Sequence, residues 1–421
     1  MEHRYPSLRN ISKSKGGFDI IEIRKYRIYP TEEQERTLAE QLETCRRLWN
    51  RCLAERKGAW ENERISVGRF EQKRRIAVDK RSSAFLQGVY SHVLQDVVLR
   101  LERAYQAFFK KNARYPRFKK FGSYDSITYP DAYNGSVKLG VARKNNKIYL
   151  SKIGHVPVLV HRDPSKGRNK RCTVKREAAE WYVVLEYEVP DVEPSGLPIE
   201  HPVGIDLGLK ALITTSDGWH VKPPKPLKVQ ERRLKHLQRE LSRKKKGSKN
   251  RVKAIGRIAK QSRKVARTRC DFNHKLSCRI ADRYDFVAME KLQIGNMVRN
   301  HCFAKSIHDA GWGQLVGFIG YKAERQGKTI ALVPPQYTSQ TCSGCGHVQD
   351  MPLRLRMYNC PACGITMDRD QNAAKNILER GLSQVGEDIA ELMPVEGGVQ
   401  LERPTAPAQP PCESGTVPGG S

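Results

Sequence analysis

The sequence has no long apolar run, and this absence argues against a membrane-spanning protein. No stretch of its 421 residues approaches the ~18 consecutive apolar residues that a membrane-spanning helix needs. The first residues, MEHRYPSLRNISKSKGGFD, also lack the apolar segment of a signal peptide. We therefore expect neither a membrane span nor a signal peptide, and a cytoplasmic location.

A regular cysteine pattern of the kind that builds a disulfide framework is lacking as well. Eleven cysteines are present, and four of them cluster near the C-terminus. The other seven are scattered and odd in number: Cys45, Cys52, Cys172, Cys270, Cys278, Cys302 and Cys412. Secreted disulfide scaffolds carry even sets at regular spacings, so this distribution indicates a reducing compartment. Cys45 and Cys52 fall on a helical apolar repeat, and we assign them no metal role.

Acidic residues are scarce relative to basic ones. The chain has 76 Lys and Arg against 45 Asp and Glu, a formal net charge of +31. Such an excess repels itself unless an anionic partner neutralises it, and nucleic acid is the natural partner. From charge alone, a ribosome-associated or merely soluble basic protein is the alternative. We expect nucleic-acid binding whose affinity falls steeply with salt.

The hydrophobic period changes along the N-terminal half. IIEIRKYRIYP is typical of a strand, and Thr31 with Gln34 forms a capping-box pattern that starts a helix. Apolar residues then recur at three- and four-residue steps, which predicts helices to about Lys120. Over 125–190, short β-branched and aromatic runs between turns predict an antiparallel sheet or a small barrel. The proline-rich segment PDVEPSGLPIEHP follows as a linker.

Basic and aromatic residues are interleaved where the helical region is predicted to end. The segment contains Arg114, Tyr115, Arg117, Phe118, Lys119, Lys120, Phe121 and Tyr124. This pattern fits cations on phosphates beside aromatic faces on bases. It fits an ordinary basic loop with buried aromatic residues equally well.

Three acidic residues stand at the ends of predicted buried elements. Asp206 ends the apolar strand in PVGIDL, Glu290 ends the one in DFVAMEKL, and Asp370 begins the helix in DRDQNAAKNILERGL, which is predicted to end at Gly381. Singly, each acid is explained as a turn or cap residue. A carboxylate at a buried strand end is costly unless it is solvated, hydrogen-bonded or bound to a metal. Together the three predict a hard-cation site, where two Mg²⁺ ions serve phosphodiester cleavage.

Four cysteines precede this helix with the spacing of a zinc site. The pattern CxxC-x14-CxxC is formed by Cys342, Cys345, Cys360 and Cys363. Four thiolates leave no open coordination position, so we predict structural zinc in a ribbon over 342–363 that fixes the backbone before Asp370. Arg354 and Arg356 lie in the loop of this ribbon, where they contact either DNA or solvent.

A strongly basic segment separates the first two acids. Residues 228–269 contain 18 Lys and Arg against two Glu, with leucines at helical spacing and a turn at KKKGSKN. We predict a helical hairpin whose basic face contacts a nucleic-acid duplex or a displaced strand; a solvated charged face is the alternative. SIHDAGWGQLVGFIGYKAERQGK predicts a further helix, capped by Ser306 and with Trp312 in the core. Beyond Gly386 the composition predicts a disordered tail.

Six segments of the chain resemble one known family, in the same order. They are YRIYPTEEQERTLAEQLETCRRLWN, VGIDLG, FVAMEKLQIGNM, HDAGWGQLVGFIGYKAERQGK, PPQYTSQTCSGCG and DRDQNAAKNI. These segments are similar to the TnpB (OrfB) proteins of bacterial insertion sequences. The resemblance covers residues 20–380.

The resemblance implies an RNA-guided DNA endonuclease, similar to compact ancestors of the type V CRISPR nucleases. It implies a guide RNA from the transposon end and a double-stranded DNA target with a short flanking motif, while base pairing reads the sequence. By motif, Asp206, Glu290 and Asp370 are the catalytic acids and the Mg²⁺ ligands. Asp368 is left to cap the helix.

The residues and the resemblance together predict an α+β multidomain protein. Its centre is a RuvC-like, ribonuclease H-type α/β nuclease core with an inserted zinc ribbon. The expected parts are a flexible N-terminus at 1–18, a wedge-like β-barrel domain at 19–30 and 125–190, a helical recognition lobe at 31–124, a linker at 191–202, the nuclease domain at 203–341 and 364–385 with its basic insert at 228–269, the ribbon at 342–363, and the tail at 386–421.

Two other functions fit part of the sequence. Ribonuclease H-type folds also carry DNA strand transferases, and carboxylates with Mg²⁺ serve hydrolysis and transesterification alike. A non-catalytic nucleic-acid-binding regulator is the third possibility, and the three intact acids argue against it. The sequence has no His-x-His motif of a tyrosine transposase, so mobilising chemistry would belong to a separate protein.

Overall fold

A computed structural model of the chain describes residues 20–141, 146–190, 199–352 and 354–392. The chain divides into two compact units. The first runs to Pro198 and includes Pro223–Arg283 and Ile294–Thr329; the second comprises Ile199–Lys222, Tyr284–Gln293 and the chain from Ile330 onward. The N-terminal segment 1–18, residues 191–198 of the predicted linker and the tail beyond 392 lie outside the described residues.

The fold is mixed α/β. The helices are α1 Glu32–Glu63, α2 Arg69–Ser82, α3 Ala84–Gln87, α4 Ser91–Phe109, α5 Pro226–Ser242, α6 Lys249–Arg283, α7 Ile294–Met297, α8 His301–Ala310, α9 Trp312–Arg325 and α10 Arg369–Leu392. The strands are β1 Ile20–Ile28, β2 Ser126–Tyr129, β3 Val137–Gly140, β4 Lys147–Leu150, β5 Gly154–Leu159, β6 Arg168–Glu177, β7 Glu180–Val189, β8 Pro202–Leu207, β9 Ile213–Thr215, β10 His220–Val221, β11 Phe286–Glu290, β12 Thr329–Val333, β13 Met357–Asn359 and β14 Thr366–Asp368. None of the described helices is both long and apolar enough to cross a membrane.

The first unit contains a seven-stranded antiparallel sheet. Its strand order is β2-β6-β7-β1-β5-β4-β3, and β1 pairs with β7 along its whole length. The sequence pattern predicted a sheet or a small barrel here, and the family resemblance implied a β-barrel domain. The barrel is not confirmed, because the sheet is open. Within the described ranges β2 pairs only with β6 and β3 only with β4, so both four-residue strands are edges and no barrel is closed.

Helices α1 to α4 pack their apolar faces into the same core as this sheet. The capping box at the start of α1 is confirmed: the Thr31 hydroxyl accepts the Gln34 N–H, and the Gln34 side chain accepts the Thr31 N–H. The helical region ends at Phe109 rather than near Lys120. The chain then turns at Lys111, which has a left-handed backbone with φ +55° that ends the helix.

The interleaved basic and aromatic segment that follows α4 has both buried and exposed rings. Tyr124 is buried and lies under the Arg100 guanidinium. Phe118 is 52% and Phe121 is 85% exposed. Tyr115, the fourth ring of the segment, is 41% exposed. The structure therefore matches the buried-loop interpretation at Tyr124 only, and leaves three exposed rings among cations.

The basic segment forms the predicted helical hairpin, α5 and α6, within the first unit. Its turn contains Gly247 at φ +84°. Asp309, on α8, accepts the backbone N–H groups of Leu227 and Lys228 at 2.9 and 3.2 Å. Asp309 thereby caps the first turn of α5 and fixes the start of the hairpin.

The helix predicted to begin at Ser306 is two helices. Gly311, at φ +67°, separates α8 from α9, and Ser306 lies inside α8. The side chain of Asn300 caps α8 through the N–H of Cys302. Trp312 is buried, as predicted. The prediction of the boundary was wrong because a glycine in the left-handed region breaks an otherwise continuous apolar repeat.

The second unit contains a five-stranded sheet of order β10-β9-β8-β11-β12. Strands β8 and β11 are parallel, and β9 returns antiparallel beside β8. All five residues of β11 are buried, as expected for a central strand covered on both faces. The antiparallel pair β13 and β14 forms a separate two-stranded ribbon.

Helix α10 covers this sheet and is longer than predicted. It continues through Gly381 to Leu392, so Gly381 does not end it and residues 386–392 are helical rather than part of a disordered tail. A Cβ added at Gly381 would lie 2.5 Å from the Cβ of Ala288 on β11. The glycine is therefore needed for close approach of helix and strand, which its sequence position alone does not reveal.

Candidate carboxylate site and four-cysteine metal site

The first two predicted acids end adjacent parallel strands. In the ladder between β8 and β11, Ile205 lies opposite Met289. Asp206 and Glu290 each follow this pair by one residue. They therefore stand at the same level of the sheet, at the carboxyl ends of neighbouring strands.

Helix α10 lies on the face of the sheet to which Asp206 points. A Cβ added at Gly204 would overlap the carbonyl oxygen of Ala374 and lie 2.7 Å from the backbone nitrogen of Leu378. Side chains two residues apart on a strand share a face, so Asp206 is directed towards the helix. Asp370 is one helical turn before Ala374 and lies on the same helix face.

Glu290 is directed to the same side of the sheet. Ala288, two residues earlier on β11, is the residue that Gly381 approaches. The alternation of side chains then places Glu290 on the face covered by α10. The three predicted acids therefore share one side of the sheet, and their role as metal ligands stays a prediction.

The three carboxylates are close enough for Glu290 and Asp370 to act electrostatically on Asp206. Burial raises the pKa of Asp206 well above its ordinary value, and the negative charges of Glu290 and Asp370 raise it further. The positive charge of Arg369 lowers it in part. Mutual repulsion of this kind is what a bound divalent cation relieves.

Glu290 is held by a buried hydroxyl. It is 8% exposed, and its Oε1 accepts a 2.6 Å hydrogen bond from Thr338. Burial raises the pKa of Glu290, while the Thr338 hydrogen bond and the charge of Arg380 lower it. Thr338 thus fixes one carboxylate oxygen and favours the ionised form that binds a metal.

Two arginines lie against Asp370. Arg369 donates to Oδ1 from Nε at 3.2 Å and from Nη2 at 2.9 Å, and it also donates to the carbonyl of Leu355 in the ribbon loop. Arg356 was predicted to contact DNA or solvent; its Nη1 lies 3.8 Å from Oδ2 of Asp370. These contacts orient Asp370 and partly neutralise its charge.

Asp368 caps the helix, as predicted. Its Oδ1 accepts the backbone N–H of Asp370 at 2.9 Å and that of Gln371 at 3.2 Å. This is the bonding of an N-cap residue. The two aspartates therefore differ in their contacts. Asp368 accepts backbone N–H groups of the helix, whereas the charge of Asp370 acts on Asp206.

The four cysteines form one cluster of sulfur atoms. All four Sγ atoms lie within 4.8 Å of one another, and the Sγ pairs Cys342–Cys363 and Cys345–Cys360 are each 3.6 Å apart. Tetrahedral zinc with bonds of ~2.3 Å places its sulfurs roughly 3.8 Å apart. The cluster therefore fits zinc in size and in ligand chemistry, and a closed four-sulfur site fits a structural role.

Local backbone geometry shapes the turns of this cluster and favours the thiolate at Cys360. Gly346 and Gly364 have φ of +74° and +75°, which allows the tight turns after each cysteine pair. Burial raises the pKa of the Cys360 thiol, but hydrogen bonds from Cys363 and Ala362 and neighbouring thiols lower it to about 6 overall. Backbone N–H groups lower the pKa of Cys345 and of Cys363, but burial and hydrogen bonds to other thiols raise it overall, so one thiolate is shared among neighbouring thiols. The thiolate is the form that binds metal.

Two buried asparagines connect the cysteine cluster to α10. Asn372 accepts the backbone N–H of Ser343 at 2.9 Å and donates to the carbonyl of Thr341 at 2.7 Å. Asn376 donates to the carbonyls of Thr341 at 2.7 Å and Thr338 at 2.8 Å. The chain entering the metal cluster is thereby bonded to the helix that carries Asp370.

Gly204→Ala is expected to disturb the site without altering any carboxylate. The added methyl group must displace α10, which we expect to destabilise the second unit by about 1–3 kcal/mol. A shift of ~1 Å at Asp370 can lower cleavage by about 100-fold. Thermal unfolding and guided cleavage measure the two effects.

The matched control for this variant is Gly256→Ala. Gly256 is exposed on α6, and an added Cβ meets no heavy atom within 4 Å. It should leave cleavage unchanged and stabilise the helix by up to ~1 kcal/mol. If Gly204→Ala behaves like this control, the helix–strand contact does not set the geometry of the site.

Sequence reasoning missed the residues that position the acids. Each of these residues can be explained by its neighbours in the sequence, while the partners it contacts are distant in the chain. They are Gly204, Thr338, Arg369, Asn372 and Asn376. The usable signal was a glycine inside an apolar strand, which indicates close backbone approach. The polar residues of PPQYTSQT and DRDQNAAKN gave no such signal.

The fold and the site together define a class of protein. It is a mixed α/β protein with three carboxylates clustered on one side of a sheet, and with a four-cysteine metal site that is hydrogen-bonded to the helix covering that side. Three family models match the chain: OrfB_IS605, described as "Probable transposase", at residues 183–301; "Cas12f1-like, TNB domain" at 312–377; and the OrfB_IS605 "Helix-turn-helix domain" at 22–64. The last of these ranges forms strand β1 and the single helix α1 here.

Related proteins match over most of the chain. A candidate RNA-guided DNA endonuclease from Streptomyces pristinaespiralis is 33% identical over 368 residues, covering 85% of this chain and 89% of that protein. The candidate RNA-guided DNA endonuclease InsQ of Escherichia coli (strain K12) is 31% identical over 375 residues, covering 85% and 91%. The chain therefore belongs to the TnpB (OrfB) family, which confirms the resemblance seen in the motifs.

A solved structure shares the fold. The mini-RNA-guided endonuclease CRISPR-Cas_phi3 matches with a TM-score of 0.53 at 8% identity, covering 87% of this chain and 93% of that one. At this identity the match concerns the fold alone.

Proposed function

We propose that this chain is an RNA-guided DNA endonuclease of an insertion sequence, with a RuvC-like, Mg²⁺-dependent site. The observation that carries the proposal is the convergence of Asp206, Glu290 and Asp370 on the side of the sheet covered by α10. The relatives named as RNA-guided DNA endonucleases support the same activity.

Mg²⁺ fits the donor set, because hard cations prefer carboxylate oxygens. When bound, it activates a water and stabilises the leaving 3′ oxygen. The chain's own residues fix the ligands: Thr338 holds Oε1 of Glu290, and Arg369 holds Oδ1 of Asp370. These contacts engage one oxygen of each carboxylate, and Arg356 lies 3.8 Å from the second oxygen of Asp370.

We assign the remaining parts by the family. The four cysteines hold structural zinc. The open sheet of the first unit corresponds to the wedge-like domain, and α1 to α4 correspond to the recognition lobe. The partners are a guide RNA from the transposon end and a double-stranded target with a short flanking motif, in the cytoplasm.

The hairpin α5–α6 supplies a surface for nucleic-acid phosphates. Lys244, Lys245 and Lys246 at its turn are exposed. Arg263 and Arg267, near the middle of α6, are instead paired with Glu180 at 3.0 Å each. We therefore assign phosphate contact to the turn end of the hairpin rather than to its whole length.

The guide is expected to supply the sequence specificity. Protein freed of RNA should bind DNA weakly, without sequence preference, and should lose binding at high salt because the contacts are ionic. Adding RNA with a matching guide segment should restore site-specific cleavage in Mg²⁺, measured on a plasmid target; RNA with a scrambled segment is the control. Site-specific cutting or joining by RNA-free protein would contradict the proposal and favour a strand transferase.

A further inference from the structure

Tyr337 has an unusual backbone conformation in the segment that holds Glu290. Its φ is +60°, in the left-handed region that favours glycine or asparagine and is disfavoured for a bulky side chain. It lies between β12 and the cysteine cluster and directly precedes Thr338. The turn itself gives no reason for an aromatic residue at this position.

The surrounding hydrogen bonds hold this conformation in place. The carbonyl of Tyr337 accepts the N–H groups of Gln340 at 3.1 Å and Thr341 at 3.0 Å. Arg380 donates to the carbonyl of Gln336 at 2.6 Å, and Asn376 donates to that of Thr338 at 2.8 Å. Strained residues persist where neighbours over-determine them, and such positions cluster at functional sites.

The ring of Tyr337 has no partner within the described part of the chain. It is 63% exposed, whereas Tyr284 and Tyr358 of the same unit are 5% and 0% exposed. Among the described residues we find no ring stacking, cation–π contact or side-chain hydrogen bond for it. Replacing this side chain by a smaller one should therefore cost the fold little stability.

The ring is close to the carboxylate site. Thr338, the next residue, donates to Glu290 at 2.6 Å. Consecutive Cα atoms are ~3.8 Å apart, so the Cα atom of Tyr337 lies within roughly 9 Å of Oε1 of Glu290. That distance is one or two nucleotides along a single strand.

We propose that Tyr337 stacks on an unpaired base of the DNA strand at the carboxylate site and so positions the phosphodiester for cleavage. Aromatic side chains bind single strands in this way, without sequence preference, because every base has a π-face. The inference rests on the proposed function, since it assumes that a DNA strand reaches Glu290.

Three variants separate the ring from the turn. Tyr337→Gly removes the ring and adopts the left-handed backbone freely, so folding is not at risk. Tyr337→Phe keeps the aromatic face, and Tyr337→Leu keeps apolar bulk without it. Each is assembled with guide RNA and tested for target binding, for single-turnover cleavage in Mg²⁺, and for fluorescence of 2-aminopurine placed at successive positions of the target strands without Mg²⁺.

The expected result is a cleavage rate about 10- to 100-fold lower for the glycine and leucine variants, with unchanged target affinity. The unaltered protein and Tyr337→Phe should quench 2-aminopurine at one or two positions beside the cut, and the other two variants should not. Unchanged cleavage and quenching in Tyr337→Gly would overturn the proposal. So would a phenylalanine variant as impaired as the glycine one, because the hydroxyl group would then be responsible.

The fluorescence measurement also separates the failure of this inference from failure of the proposed function. If the unaltered protein does not cut a guided target, the proposed function fails, and the quenching comparison still decides whether Tyr337 stacks. If the unaltered protein cuts a guided target and the Tyr337 variants cleave and quench as it does, the proposed function stands and this inference alone is wrong.

Discussion

Guided DNA cleavage is expected to be abolished by Asp206→Ala, Glu290→Ala or Asp370→Ala, each alone. The three carboxylates share one side of the sheet, and we expect them to hold one metal cluster whose geometry fails when any ligand is lost. Binding of guide RNA and target should stay nearly unchanged, or tighten slightly without metal, because a carboxylate that repels phosphate is removed. Mg²⁺-dependent cleavage of one guided target, with binding measured in parallel, tests this.

Residues that act as one unit are non-additive, so double variants should be no worse than single ones. Asp368→Asn is the matched control beside Asp370→Asn. Asp368 caps α10 through Oδ1, which asparagine can replace, so substantial activity should remain. If Asp370→Asn cuts normally and Asp368→Asn does not, the ligand assignment is wrong by two residues. If all of these variants cut, the nuclease site lies elsewhere.

The candidate site was predictable because its signals are local. An acid at the end of an apolar strand is costly without a partner, and this holds for Asp206 and Glu290 from the sequence alone. The parallel register that sets them side by side could not be read, because strand pairing is decided by contacts distant in the chain. The cysteine cluster was predictable because the spacing of the two ligands within each CxxC pair is also a local feature of the sequence.

The errors in the fold prediction come from glycines with non-local roles. Gly381 looked like a helix end, yet it is where α10 approaches Ala288. Gly311 looked like an interior residue and instead separates α8 from α9. A glycine marks a turn, a helix end or a close approach, and only the tertiary partner decides which.

The open sheet of the first unit shows a different limit. Short β-branched and aromatic runs between turns predicted its strands, but barrel closure depends on hydrogen bonds between the first and last strand in the sheet. Strands β2 and β3 are both four residues long, lie at opposite ends of the sheet and form no hydrogen-bonded pair with each other in the described ranges. The hydrophobic pattern of a strand shows which of its faces is buried. It does not show which neighbouring strand each edge pairs with.

Loss of zinc is expected to destabilise the second unit far more than the first. Cys360→Ser removes one of four thiolates, and the binding energy of a structural zinc is folding energy, about 10–16 kcal/mol for zinc-finger peptides. The damage should reach α10, because Asn372 and Asn376 bond the entry to the cluster, and Arg369 bonds the ribbon loop. Zinc content, guided cleavage and limited proteolysis around Asp370 should all change together.

The control is Cys302→Ser, an exposed cysteine of α8 outside the cluster. It should keep full zinc content, normal resistance to protease and normal cleavage. Chelation of zinc from the unaltered protein should reproduce the Cys360→Ser result, since both remove the same cross-link between the ribbon and α10. The structural role would be refuted by a Cys360→Ser protein that has lost its zinc, resists protease around Asp370 as well as the control does, and still cuts a guided target. That outcome would mean that the asparagine contacts hold α10 in place without the metal.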